Sequence, residues 1–235
     1  MEPFELEILS LPGGPAKVSW RRSPRARRVS LRIDPRDGSV VITLPPRAAR
    51  RAGMALLVDH ADWVSDRLAA LPASIPFAPG AIIPINGVPH RIRHLPRGSA
   101  LGGAWIEAGE IRVSGEAAFL QRRVADFLRA EAKRRLSLLV AAKSRLAGTA
   151  PRRIVIKDTR SRWGSCAPDG TLSFSWRLLM APPFVQDYVA AHEVAHLRHL
   201  NHGTRFWALV DQLSPHVEKA MAWLHAEGAR LLRVG

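Results

Sequence analysis

The 235-residue chain reads as an α+β protein, and three observations carry that reading. Residues 28–44 alternate apolar and polar, the period of a strand with one buried face. Residues 116–146 place apolar side chains at three- and four-residue steps, the period of an amphipathic helix. Other short runs of both kinds are cut by Gly and Pro. The expected organisation is an N-terminal β-rich region with one helix over residues 1–115. A C-terminal domain over residues 116–235 follows, with a long helix, a small β-sheet and a histidine-bearing helix. A composition shift near Gly115 marks the boundary.

In RRVSLRIDPRDGSVVITLP, Val29, Leu31 and Ile33 point one way, and Arg28, Ser30 and Arg32 the other. Asp37-Gly38 is a hairpin turn signal, and Val40, Ile42 and Leu44 alternate on the return strand. Over residues 47–71 the period turns helical, through Met54, Leu57, Val58, Ala61, Val64, Leu68 and Leu71, until Pro72, Pro76 and Pro79 end it. Residues 81–85, 90–95 and 105–113 read as short strands. The helix over 116–146 buries Leu120, Val124, Phe127, Leu128, Leu136, Leu139 and Val140, with Gly148 just past its end. Strands are expected at 153–158, near 161–166 and at 171–176, with a turn at Pro168-Asp169-Gly170. Pro182-Pro183 then opens a helix that runs into HEVAHLRHLNHGTRFW, residues 192–207.

Composition narrows the function classes. The lone cysteine, Cys166, excludes a disulfide framework and a cysteine-based zinc site, and it fits a reducing compartment. The N-terminal MEPFELEILSLPGG carries acidic residues where a signal peptide carries basic ones. No run of eighteen apolar residues is present. A cytoplasmic protein without membrane contact is expected. The net charge of +15 attracts polyanions, so non-specific nucleic-acid contact through a basic surface is an open partner class. All but five of the cations are arginine. A GC-rich coding bias gives the same composition, and the arginines from Arg21 to Arg28 lead into a strand with a solvated face.

The chemistry lies in the stretch 192–207. His192, Glu193 and His196 form H-E-x-x-H. On a helix, positions i and i+4 share one face, so two imidazoles can grip one metal ion. Glu193 lies about 100° round the axis, placed to reach a water on that ion rather than the ion itself. Ala191, Val194 and Ala195 make the helix apolar. Burying two histidines and a glutamate there without partners is costly, and a metal removes that cost. His199 shares the face but lies about 10 Å along the axis from His192, too far for a bond of about 2 Å. The third ligand must come from chain that has turned back. Asn201-His202-Gly203 offers residues that tolerate left-handed backbone, which favours His202. Glu218, in SPHVEKAMAW, is the rival from a second helix, and His199 stands behind both. His60, His90 and His94 have no partner at ligand spacing and read as structural or surface histidines.

RWGSC (162–166), LSFSWRLLMAP (172–182), HEVAHL and NHGTRFW, in that order, resemble the YgjP-like zinc metallopeptidases. These are similar to the SprT and Spartan proteases and share a minimal zincin-type fold. The resemblance is strongest over residues 150–225 and continues more weakly into RRSPRARRVSLRI and HADWV. It implies a zincin-like metallopeptidase domain with one Zn2+ per chain, held by His192, His196 and His202, and Glu193 as the catalytic residue. His202, Gly203 and Phe206 match the His-Gly-x-x-Phe pattern of the SprT-like relatives. It implies a peptide or protein substrate without naming one. Spartan-like proteins cut proteins crosslinked to DNA, so DNA-associated proteins are one candidate class, although no DNA-binding module is visible.

The expected reaction is peptide hydrolysis by a metal-activated water, with Glu193 as general base. Trp163, Gly164 and Ser165 are candidate substrate contacts, on a strand that could pair with an extended peptide. Trp163 has a competing reading as a core aromatic, and Cys166 reads as a small buried thiol. Tyr188, Arg205 and His216 are weak candidates for stabilising the oxyanion. Two other readings remain open. One is a basic nucleic-acid-binding protein with a structural zinc, which has no need of a carboxylate beside the first ligand. The other is a peptidase scaffold that binds without cutting.

Overall fold

A computed structural model of the chain describes residues 5–95, 103–159 and 162–235. Its contacts fall into two units, Met1–Ser74 and Ile75–Gly235.

In the first unit, β1 (Glu5–Leu11) and β2 (Gly14–Arg22) form a hairpin. β3 (Ser30–Ile33) and β4 (Val40–Leu44) form the expected second hairpin, with Ile33 opposite Val40. β4 pairs parallel with β2, so the order is β1-β2-β4-β3. Two helices follow, α1 (Arg50–Asp59) and α2 (Ala61–Ala69), where one was expected over 47–71. The break is at His60. Its backbone N–H turns to the Val58 carbonyl, and its ring Nδ1 lies 3.2 Å from the Leu56 carbonyl. Val58, counted in the apolar stripe, is 64% exposed. Val18, Trp20, Val40, Ile42, Leu57 and Val64 form the core. Gly53 lets α1 sit close on the sheet, because a Cβ there would lie 2.6 Å from Trp20 Cζ3.

The second unit opens with β5 (Ile82–Ile85), β6 (Val88–Leu95), β7 (Ala104–Glu107) and β8 (Glu110–Ser114), in the order β5-β6-β8-β7. The run 105–113, expected as one strand, is a hairpin. It turns at Ala108 and Gly109, whose φ values are 50° and 75°. The boundary expected near Gly115 falls inside this unit: Ile83, Ile85, Ile92, Ile111 and Val113 share one core with the long helix α3 (Leu120–Ala147). α3 starts after a 3-10 turn at Ala117–Phe119 and ends at Gly148, in the left-handed conformation that a helix stop favours. Its buried stripe is Leu120, Val124, Leu128, Ala132, Leu136 and Val140.

β9 (Arg153–Lys157), β10 (Gly164–Cys166) and β11 (Thr171–Ser175) form a three-stranded sheet in the order β10-β11-β9, with β10 on an edge. Ser161, where the second of these was expected to begin, lies outside the described residues. A 3-10 turn at Trp176–Met180 leads to α4 (Pro183–Ala195), α5 (Thr204–Leu213) and α6 (Val217–Leu232). Within that turn, buried Arg177 pairs with Asp158 and donates to the Val234 carbonyl at 3.1 Å, tying the end of β9 to the C-terminus. Among the described residues no helix is long and apolar enough to cross a membrane.

Candidate metal centre

α4 is the platform, and its first half is held by polar contacts. Gln186 is fully buried, with Nε2 facing Asn86 Oδ1 at 3.0 Å and the carbonyl of Ala181 at 2.7 Å, while Oε1 accepts from Arg135. Asp187 takes Lys143 Nζ at 2.6 Å and the Ser214 hydroxyl at 2.6 Å. These contacts join α4 to α3 and to the end of α5. A buried ion pair is tolerated where each partner is satisfied in this way.

The second half carries His192, Glu193 and His196. The helix was expected to run through the motif, but its last residue is Ala195 and His196 caps it. The chain then tightens, with the N–H groups of Arg198 and His199 both donating to the Ala195 carbonyl. This early end brings the His199 carbonyl back to 3.1 Å from His196 Nδ1. The left-handed turn expected at Asn201–Gly203 is not used. Gly203 has φ −82°, and the positive-φ residues include neither it nor Asn201. The reversal comes from the early stop and from a bend closed by Gly203 N–H to the Asn201 carbonyl, 2.8 Å. α5 then packs on α4, with buried Phe206 against the rings of His192, His196 and His202 at centroid distances of 4.9, 4.5 and 4.7 Å.

The bend brings His202 to the two helix histidines. One nitrogen from each of His192, His196 and His202 lies within 4.8 Å of the others, a group that could hold a metal ion. Among the described residues no fourth His, Cys, Asp or Glu joins it; the His199 ring and Glu218, on the first turn of α6, stand outside. His192 Nε2 and His202 Nε2 are 3.2 Å apart. Two nitrogens on one tetrahedral zinc, each about 2.05 Å from the ion, are separated by about 3.3 Å. The His199 carbonyl occupies His196 Nδ1, which leaves Nε2 as the free donor of that ring. Burial, then the neighbouring His196 and His202, push His192 down to about 4. Burial also lowers His196. Both rings are therefore neutral near pH 7, the form that binds metal.

Glu193 is buried, and its Oε2 has no hydrogen-bond partner. Burial pushes its carboxyl up to about 8, against the opposing effect of Arg162. β10 lies against it: a Cβ on Gly164 would fall 2.4 Å from Glu193 Oε1. Gly164 thus makes room for the carboxylate, a role that spacing alone could not reveal.

A cleft of about 210 Å³ opens beside His192 and Glu193. Trp163 and Gly164 line it, but Ser165, opposite Ser173 in the sheet, does not. Tyr188 also lines it, with its ring centroid 5.9 Å from that of His192. Burial, then Glu193, raises its hydroxyl pKa, so it remains a donor. Arg205 and His216 are not in the lining. Cys166 is half-buried, and burial, then Glu193 and Asp169, raise its thiol, which keeps it unreactive. Leu224 of α6 also lines it, a residue that the sequence does not single out.

A family model described as YgjP-like, metallopeptidase domain, matches residues 27–227. No curated protein and no solved structure matches the chain.

Proposed function

The chain belongs to the YgjP-like metallopeptidase family, and from that premise we propose that it hydrolyses peptide bonds at one zinc ion held by His192, His196 and His202. Glu193 is the general base. The observation that carries this reading is a buried, partnerless carboxylate beside a three-histidine group that no fourth ligand closes among the described residues. A structural zinc calls for four protein ligands, whereas a catalytic one keeps a position open. This reading makes the site a zincin-type one.

The residues fit the metal. Three imidazoles suit zinc, and the 3.2 Å separation of two Nε2 atoms is close to what a shared tetrahedral ion requires. Zinc held there would supply Lewis acidity to the scissile carbonyl and the attacking water. A cation on the three histidines would favour the ionised carboxylate, and Glu193 would then take the proton of the attacking water and deliver it to the leaving amine. Gly164 leaves room for the carboxylate beside β10. The outer edge of β10 pairs with an extended substrate backbone, and Tyr188 offers its hydroxyl to the developing oxyanion. The +15 charge suits protein substrates associated with nucleic acid.

Metal analysis with a cleavage assay tests the proposal. The purified protein should carry one zinc per chain and cut a denatured protein. Chelation should stop the cutting, and His202→Ala should lower zinc occupancy. A fully metallated protein that cuts no peptide or protein would refute it.

A further inference from the structure

Beyond the metal and the base, the cleft has a wall from another part of the fold. We propose that the space between α4 and α6 is a selectivity pocket for one apolar side chain next to the scissile bond, and that Leu224 sets its size. This rests on the peptidase reading above.

The cleft touches both His192 and Glu193, so a side chain entering it belongs to a residue flanking the bond that is cut. Its volume of about 210 Å³ is below the roughly 300–1,000 Å³ of sites that enclose a whole small ligand. One side chain is what it admits. Apart from Glu193 and His192, its walls are Trp163, Gly164, Tyr188, Val189 and Leu224, with Arg162 exposed beside them. Burial on such walls favours Leu, Met or Phe. Arg162 repels lysine and arginine, and either would lose hydration on entry.

α6 is a fixed wall. Its Gly228 is buried against the Trp163 indole, where an added Cβ would lie 3.2 Å from Cζ2. Below α6, Val234 bridges to Ile75, and its carbonyl accepts from buried Arg177. Leu224 lies one helical turn before Gly228, so it faces the cleft from an anchored helix. It is only half-buried and makes no polar contact with the histidines or Glu193. Its size can therefore change without disturbing the reacting groups.

Cleavage profiling of a peptide library tests this, with the zinc-loaded full chain, Leu224→Ala, Leu224→Phe and Glu193→Gln. The wild type should enrich Leu, Met or Phe at one position flanking the cut and deplete Lys and Arg there. Leu224→Ala should shift that position toward Phe and Trp by about tenfold relative to Leu, and Leu224→Phe toward Ala and Val by a similar factor. Zinc content should be unchanged in both, and the second variant keeps the test decisive if the first folds poorly. Zinc-dependent cutting with the same preference in all Leu224 forms would overturn the pocket alone. No cutting by the wild type, or equal cutting by Glu193→Gln, would overturn the peptidase reading and the pocket with it.

Discussion

The two halves of α4 treat buried polar groups in opposite ways. In the first half, Gln186 has acceptors for its Nε2 and the Arg135 donor for its Oε1, and Asp187 has both a lysine and a hydroxyl. In the second half, Glu193 Oε2 and His192 Nδ1 are buried with no partner. Burying a polar group without a hydrogen bond is unfavourable, so the contrast separates two purposes within one helix. The first half holds the helix in place, and on the proposed reading the second leaves Glu193 Oε2 free for a reaction.

Breaking the satisfied half should cost the most stability. Asp187→Ala leaves Lys143 buried without its counter-ion, a loss of about 3–5 kcal/mol. By thermal melting that is a fall of roughly 10 °C in Tm. An unchanged Tm would mean that the pair does not hold α4. Disturbing the unsatisfied half should instead change activity. Gly164→Ala forces a methyl group into the space of the Glu193 carboxylate. Cleavage should drop about 100-fold with zinc content intact, because a displacement near 1 Å has about that effect. Normal kcat/KM in that variant would remove the positioning role from Gly164.

A pH titration sharpens the comparison further. In the metal-free protein the folded state holds the Glu193 proton up to about 8, while the unfolded chain releases it near the ordinary carboxyl value. The contribution is complete below the unfolded pKa and is lost as pH rises toward 8. The slope is at most about 1.4 kcal/mol per pH unit. Denaturant melts of metal-free wild type and Glu193→Gln should diverge over that window, the wild type losing stability relative to the variant as pH rises. The smallest effect is expected at Glu218, which stands outside the histidine group. Glu218→Gln should leave zinc affinity unchanged in a competition titration, and a tenfold loss would reinstate it as a ligand.

Much of this contrast was legible in the sequence, for reasons that differ by residue. That His192 and His196 come together follows from helical geometry, since i and i+4 meet on any helix. The β3–β4 hairpin followed from alternation and Asp37-Gly38. The break at His60 was not legible, because no Gly or Pro marks it and the cause is a local competition for one carbonyl. His202 was favoured through a left-handed turn that the chain does not make; an early helix stop at Ala195 achieves the same reversal. Leu224 and the clearance role of Gly164 depend on contacts between elements far apart in sequence. Such contacts leave no periodic mark.

On the proposed reading, Glu193 is kept without a partner for chemistry and not for metal retention. The direct measurement compares Glu193→Gln with the wild type for zinc per chain and for cleavage of the same denatured protein. Equal zinc is expected, with a cleavage rate lower by about 100-fold or more. Zinc lost together with activity, or cleavage retained at the wild-type rate, would contradict it.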